Sequence, residues 1–476
     1  MKARLKTVSL RALPFADAAS DGLPMAQLLR LSLFQVSVGM ASVMLLGTLN
    51  RVMIVELSVP AMIVAIMIAL PVLIAPFRAL LGFRSDTYRS ALGWKRVPYI
   101  WFGSLWQFGG LAIMPFALLV LGGDVYYTVP FAGQVLAALA FLMTGLGMHM
   151  TQTAGLALAA DRASDETRPR VVALLYVMFL VGMGVSSIII GTILTNYSDL
   201  LLIRVVQGAA VVGVVLNLLA LWKQEKVRPM SRAEREEPRP LFRDAWADFA
   251  RGGQAGRLLA CVFVGTLAFN MQDVLLEPYG GEILGLSVSS TTLLTALWAA
   301  GALAGFALAG RQLNRGSDPY RLAGMGILAG VVAFSVVIFA APLNSAELFF
   351  SGVVLIGFGG GLFAVSTLMA AMSMPATGVA GRGLALGAWG AAQATAAGSA
   401  IALGGTLRDW IGSIAMSGTL GEGLATPTTG YSFVYHAEIG LLFLTLVVLG
   451  PLVRTSGTYQ PKTVERTRLG LADFPA

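Results

Sequence analysis

The sequence predicts an all-α membrane protein: twelve transmembrane helices in two six-helix pseudo-symmetric bundles, with both termini cytoplasmic. Three observations predict it. The chain of 476 residues is 56% hydrophobic and only 12% charged, against about 25% charged in soluble domains. Its apolar runs approach the ~20 residues that a hydrocarbon layer ~30 Å thick demands of a helix. Its basic residues fall almost entirely on one side of those runs. Strict apolar–polar alternation, the signal of a membrane β-barrel, is absent.

The spans are expected at 29–53, 59–83, 97–121, 129–158, 170–194, 200–222, 257–279, 288–310, 321–342, 347–372, 382–406 and 431–453. Residues 1–28 form a basic cytoplasmic tail, and the apolar run after them is long enough to stay as an anchor. Spans 29–222 make the first bundle. The polar stretch 223–256, rich in Arg, Pro and Glu, is a cytoplasmic linker, and "PLFRDAWADFARG" within it has the pattern of an interfacial helix. The second bundle covers 257–454, and 455–476 is a short basic tail. With the N-terminus inside, the cytoplasmic segments carry 30 of the 33 Lys and Arg; Arg51, Arg204 and Arg408 are the exceptions near the outer face. A missed or extra span would scramble that asymmetry. The net charge of +8 therefore reports orientation and points to no nucleic acid.

The halves repeat. Leu57-Ser58-Val59 precedes Gly82 and Asp86 much as Leu286-Ser287-Val288 precedes Gly310 and Asn314. Arg170 opens span five as Arg382 opens span eleven, and both spans close on Gly-Thr. Parallel six-helix repeats are the internal symmetry of the major facilitator fold.

Motifs follow from that frame. Gly82, Asp86, Gly93, Lys95 and Arg96, with the second copy at Gly310 and Asn314, resemble the facilitator loop motif that latches the halves on the cytoplasmic side. Gly permits the turn, and Asp accepts hydrogen bonds from a helix N-terminus. About four extra residues separate Asp86 from Gly93, and the other reading is a basic loop obeying the orientation rule. "RVVQG" at 204–208 matches a transporter-family string but sits in span six rather than four. Asp273 lies sixteen residues beyond Arg257, or about 24 Å at 1.5 Å per residue, which places it near the outer interface. Asp273 and Glu277, four apart, are expected on one helix face. An outer-face cluster of Arg51, Arg204, Asp273, Glu277 and Glu438 tying the halves together is one reading. Solvated interfacial charge is the other.

His149 and His436 are the two histidines. A helix imidazole can serve as the single axial ligand of a metal macrocycle, or simply be a hydrogen-bonded helix residue. The lone Cys261 excludes an intrachain disulfide. No zinc-spaced His/Cys set and no phosphate-binding glycine loop occurs, so no enzymatic activity and no bound metal site are expected.

"MQDVLLEPYGGEILGLSVSSTTLLTALWAAGALAGF", "STLMAAMSM" and "GLALGAWGAAQATAAGSAIALGGTLRD", with the Y-x-x-V-Y-x-x-E pattern near 431–438, resemble the PucC/LhaA family. That family is the bacteriochlorophyll-delivery branch of the major facilitator superfamily in purple phototrophs. "RLSLFQVSVGM" and "TLNRVMIVELSVPA" are closer to the LhaA type, which serves the core antenna. The resemblance implies a multi-pass protein of the bacterial inner (intracytoplasmic photosynthetic) membrane. It also implies an assembly factor that delivers bacteriochlorophyll a, with carotenoid, or antenna polypeptides around the reaction centre. The implied partners are light-harvesting α/β polypeptides, the reaction centre, the bacteriochlorophyll synthesis machinery and lipids. The competing expectation is a transporter of a small solute or pigment precursor, which requires a polar midplane cavity with a titratable residue.

Overall fold

Apolar segments without water must satisfy their backbone internally, and they do so here as helices. The computed structural model describes residues 18–20, 22–74, 93–94, 96–123, 129–164, 167–225, 253–372 and 382–455. In chain order the helices are α1 (Met25–Glu56), α2 (Ala61–Leu73), α3 (Val97–Leu121), α4 (Ala132–Arg162), α5 (Arg168–Ile193) and α6 (Asp199–Leu221). The second half holds α7 (Gly253–Asn270, then a 3₁₀ turn at Met271–Val274, then Leu276–Glu282), α8 (Val288–Asn314), α9 (Pro319–Ala340), α10 (Ala346–Met372), α11 (Arg382–Met416) and α12 (Thr428–Thr455). Among the described residues ten of these helices are long and apolar enough to cross a membrane. The exceptions are α2, described over a shorter stretch, and α11, whose Gly, Ala, Gln and Thr lower its hydropathy. Residues 1–17, 456–476 and most of the 223–256 linker, including its interfacial-helix pattern, lie outside the described residues, and the helix expected from residue 29 already begins at Met25.

Local chemistry sets several helix starts. Ser198 and Ser287 cap α6 and α8 by accepting the N–H of Leu201 and Ser290. Asp318 caps α9 with Pro319 at its first position. The repeat breaks at the Ser before α2: Ser58 has φ +51° and does not cap.

The halves meet along two helix pairs. Gly405 of α11 packs on α2 so closely that a Cβ would lie 2.4 Å from Ala65 Cβ. Gly191 of α5 faces Leu293 of α8, where a Cβ would lie 3.1 Å from the side chain. Small residues let backbones approach where lipid supplies no hydrophobic drive. Polar bonds seal the same seam. Ser187 of α5 donates to the carbonyl of Thr292 and accepts the N–H of Ala296 at 3.2 Å. The N–H of Met62 donates to Asp409 at 2.6 Å.

α1 departs from α geometry within its span. It is π-helical over Val43–Leu49 and Val52–Glu56. Such widened turns are rare and cluster at functional sites.

Candidate functional site

The opposite departures of α1 and α7 bring their polar residues together. Asn50 donates to the carbonyl of Val274 at 2.9 Å, from the π-helical region into the 3₁₀ turn. The N–H of Gln272 donates to Glu438 Oε1 of α12 at 2.7 Å, fixing that turn from the other side. The Gln272 side chain donates onward to Asp273 Oδ1 at 2.5 Å, and Asn270 donates to Asp273 Oδ2 at 2.7 Å. Both carboxylate oxygens of Asp273 therefore accept amide hydrogens.

The expected outer-face charge cluster is corrected by this geometry. Arg51 is buried, pairs with Glu56 of its own helix and donates to the carbonyl of Leu286 at 3.3 Å. Arg204 is exposed on α6 and shares no ion pair with these acids among the described residues. Glu277 is buried and accepts the Thr295 hydroxyl at 3.1 Å. Glu438 is fully buried on the Gln272 N–H. A 3₁₀ turn at Met271–Val274 interrupts the helix between them, yet both acids turn toward α8: Glu277 to Thr295, and Asp273 to the cavity wall that Trp298 shares. Asp273 does not mark the outer end. The span continues nine residues to Glu282, about 14 Å further.

A different cluster ties the C-terminal end of α7 to α11 and α12. Arg408 of α11 pairs with Glu282 of α7 and with Asp409, and its guanidinium lies 4.6 Å from the centre of the Tyr431 ring. Tyr431 also donates to Glu282 at 2.7 Å. Its partners lie far apart in the chain, so spacing carries no signal of it.

A cavity of about 490 Å³ lies between the halves. One half contributes Val172, Tyr176 and Phe179 of α5, and the other contributes helices α7, α8, α10 and α11. Asp273 and Asn270 reach its wall, as do Trp298, Phe306, Phe363, Trp389 and Gln393. Its surface is mostly apolar and aromatic, and none of its described lining residues is Lys, Arg or His.

Of the cytoplasmic latch residues, Gly82, Asp86 and Lys95 lie outside the described residues, and the side chain of Asn314 is not described. Gly93 has φ +79°, as a turn glycine would. Gly310 lies buried near the C-terminal end of α8. Arg96 pairs with Asp161 of α4 at 3.0 Å, and its N–H and that of Val97 donate to Glu225, an acid placed on the start of α3. These described contacts bind helices within the first half rather than across the halves.

The histidines differ. His149 is half-buried in α4, next to the turn whose Gln152 reaches Gln35 of α1. His436 is exposed on α12, and its Nδ1 lies 2.7 Å from the carbonyl of Ser432. That bond takes the Nδ1 hydrogen and leaves Nε2 as the free nitrogen, as second-shell carbonyls do for ligating histidines. Phe433, His436, Gly440, Phe443 and Val447 share one exposed stripe. A Cβ on Gly440 would meet nothing within 4 Å. A second exposed aromatic face lies on α3 at Trp101, Phe102 and Trp106.

The model of the family described as PUCC protein matches residues 48–457. An uncharacterized protein of the puhA-bchM intergenic region of Rhodobacter capsulatus is 62% identical over 97% of each chain. Protein PucC of Rhodovulum sulfidophilum is 56% identical over 85% of this chain and 90% of its own. The bacteriochlorophyll synthase 44.5 kDa chain of Rhodobacter capsulatus is 29% identical over 78% and 85%. Among solved structures, an inward-facing bacterial homolog of the human lysosomal transporter Spinster matches with TM-score 0.66 at 14% identity, over 90% of this chain and 97% of that one.

Proposed function

The chain belongs to the PucC family of multi-pass membrane proteins with the major facilitator fold, and from that premise we propose that it is an assembly factor for a light-harvesting antenna. It delivers bacteriochlorophyll, with carotenoid, or antenna polypeptides to the complex built around the reaction centre. The core antenna is its target, by the closer likeness of its first-half strings to the LhaA type.

One observation carries the reading. The α12 stripe sets an imidazole, with Nδ1 tied to a backbone carbonyl, on an exposed face of a membrane-spanning helix beside an open glycine notch. When bound, a magnesium tetrapyrrole supplies a Lewis-acidic metal that takes one axial nitrogen. The residues present fit it: His436 offers Nε2, Gly440 leaves the surface flat, and Phe433 and Phe443 flank it with apolar rings. A lipid-facing site also lets an antenna helix receive its pigment without either passing through water. His149, half-buried within its bundle, fits that role less well.

The test is purification in mild detergent, followed by an absorption spectrum and identification of co-purifying polypeptides. Wild type is expected to carry bacteriochlorophyll and antenna subunits. His436→Leu is expected to lose most of the pigment while remaining monodisperse. A colourless wild type without antenna subunits overturns the reading, and unchanged pigment in His436→Leu removes the site from α12. A second reading, transport of a small solute or pigment precursor, is favoured by the cavity that both halves line. It requires uptake or efflux by reconstituted protein.

A further inference from the structure

We propose that the cavity between the halves is a binding site for a hydrophobic organic cation, held by Asp273 and by aromatic walls. The site is separate from the α12 face and does not depend on the antenna reading.

The charge argument starts at Asp273. Among the acids of α7 and α12 it alone reaches the cavity; Glu277 and Glu438 are buried against Thr295 and the Gln272 N–H. Both of its oxygens accept side-chain amide hydrogens. Those two bonds hold the carboxyl in a fixed orientation on the cavity wall. A lone charge in a low-dielectric wall is costly unless paired. Yet no described lining residue is cationic, and the nearest buried guanidinium on the paired helix, Arg51, is already taken by Glu56 and Leu286. When Asp273 is ionised, a cationic ligand in the cavity is what supplies its counter-charge.

The walls say which cation. A small hydrated metal ion needs about six oxygen ligands, and among the described residues no group of three acids, histidines or cysteines converges anywhere. A proton alone needs no cavity of about 490 Å³. That volume lies in the range of roughly 300–1,000 Å³ that holds drug-sized molecules. Trp298, Trp389, Phe363 and Tyr176 line it, and aromatic faces attract organic cations through their quadrupoles. A single acid with an aromatic enclosure is the chemistry that recognises amines and quaternary onium groups. The turn that presents the acid is held from behind by Glu438 and from α1 by Asn50, so the carboxylate is pre-positioned.

The experiment uses the full chain in detergent or nanodiscs with radiolabelled tetraphenylphosphonium as the probe and uncharged triphenylphosphine oxide as competitor. The expected result is saturable binding at one site per chain. Asp273→Asn should weaken it at least tenfold, Asp273→Glu should retain it, and the neutral competitor should fail to displace it. Should Asp273→Asn not fold, Ala364→Trp, which fills the cavity from α10, should abolish binding by itself. His436→Leu should bind the probe as wild type does, so failure here and failure of the pigment site are told apart. Non-saturable uptake by wild type, equal affinity in Asp273→Asn, undiminished binding in Ala364→Trp, or displacement by the neutral analogue each overturns the proposal.

Discussion

α1 and α7 occupy equivalent places in the two halves, and both abandon α geometry where their polar residues fall, in opposite senses. α1 widens into π turns around Asn50-Arg51, and α7 tightens into a 3₁₀ turn at Gln272-Asp273. The cation of the first is consumed inside the protein, by Glu56 and a carbonyl. The acid of the second reaches a cavity. Pseudo-symmetry thus preserves where a polar pair sits, while the local helix type goes with whether its ionisable side chain meets protein partners or a cavity.

The comparison can be broken at four points, from the largest effect to the smallest. Gly404 of α11 packs on the 3₁₀ turn so tightly that a Cβ would lie 2.2 Å from the Met271 carbonyl. Gly404→Val should therefore cost about 3 kcal/mol by overpacking, read as lost monodisperse protein and a lower melting temperature. Arg51→Met leaves Glu56 and the Leu286 carbonyl without their donor, and should cost about 1–3 kcal/mol. The double variant with Glu56→Gln should recover part of that loss, since paired sites are not additive. Asn50→Ala removes the direct bond between the two irregular helices, and a drop of about 1 kcal/mol is expected in thermal unfolding. Arg204→Ala, on the exposed face of α6, should change stability by no more than about 0.5 kcal/mol. A loss in Arg204→Ala equal to that in Arg51→Met would show that position in the chain, not burial, sets the value of an outer-side arginine.

Much of the architecture was legible. Hydropathy and the placement of Lys and Arg led to the helical membrane class and to a helix beside each expected span, and the Leu-Ser-Val repeat pointed to two related halves. The site was legible only in part. The unusual stretch beginning at Phe269 is visible as acids in an apolar context, but spacing carries no sign of the 3₁₀ turn that interrupts the helix there. The Arg408–Glu282–Tyr431 cluster was invisible for another reason: its members come from three helices, and no local pattern links them. His436 was identifiable as a histidine in a span. Its exposure, its bond to Ser432 and the notch at Gly440 depend on which face of α12 the other helices cover.

Crossing a membrane is a property each segment must satisfy alone, since every backbone hydrogen bond has to close within it or beside it. The existence of helical spans could therefore be read from residue order. Whether a buried acid meets a hydroxyl, an amide or an open cavity depends on turns of the helix as small as one 3₁₀ step and on neighbours more than a hundred residues away. Those are settled by packing between segments, and hydropathy contains no record of it.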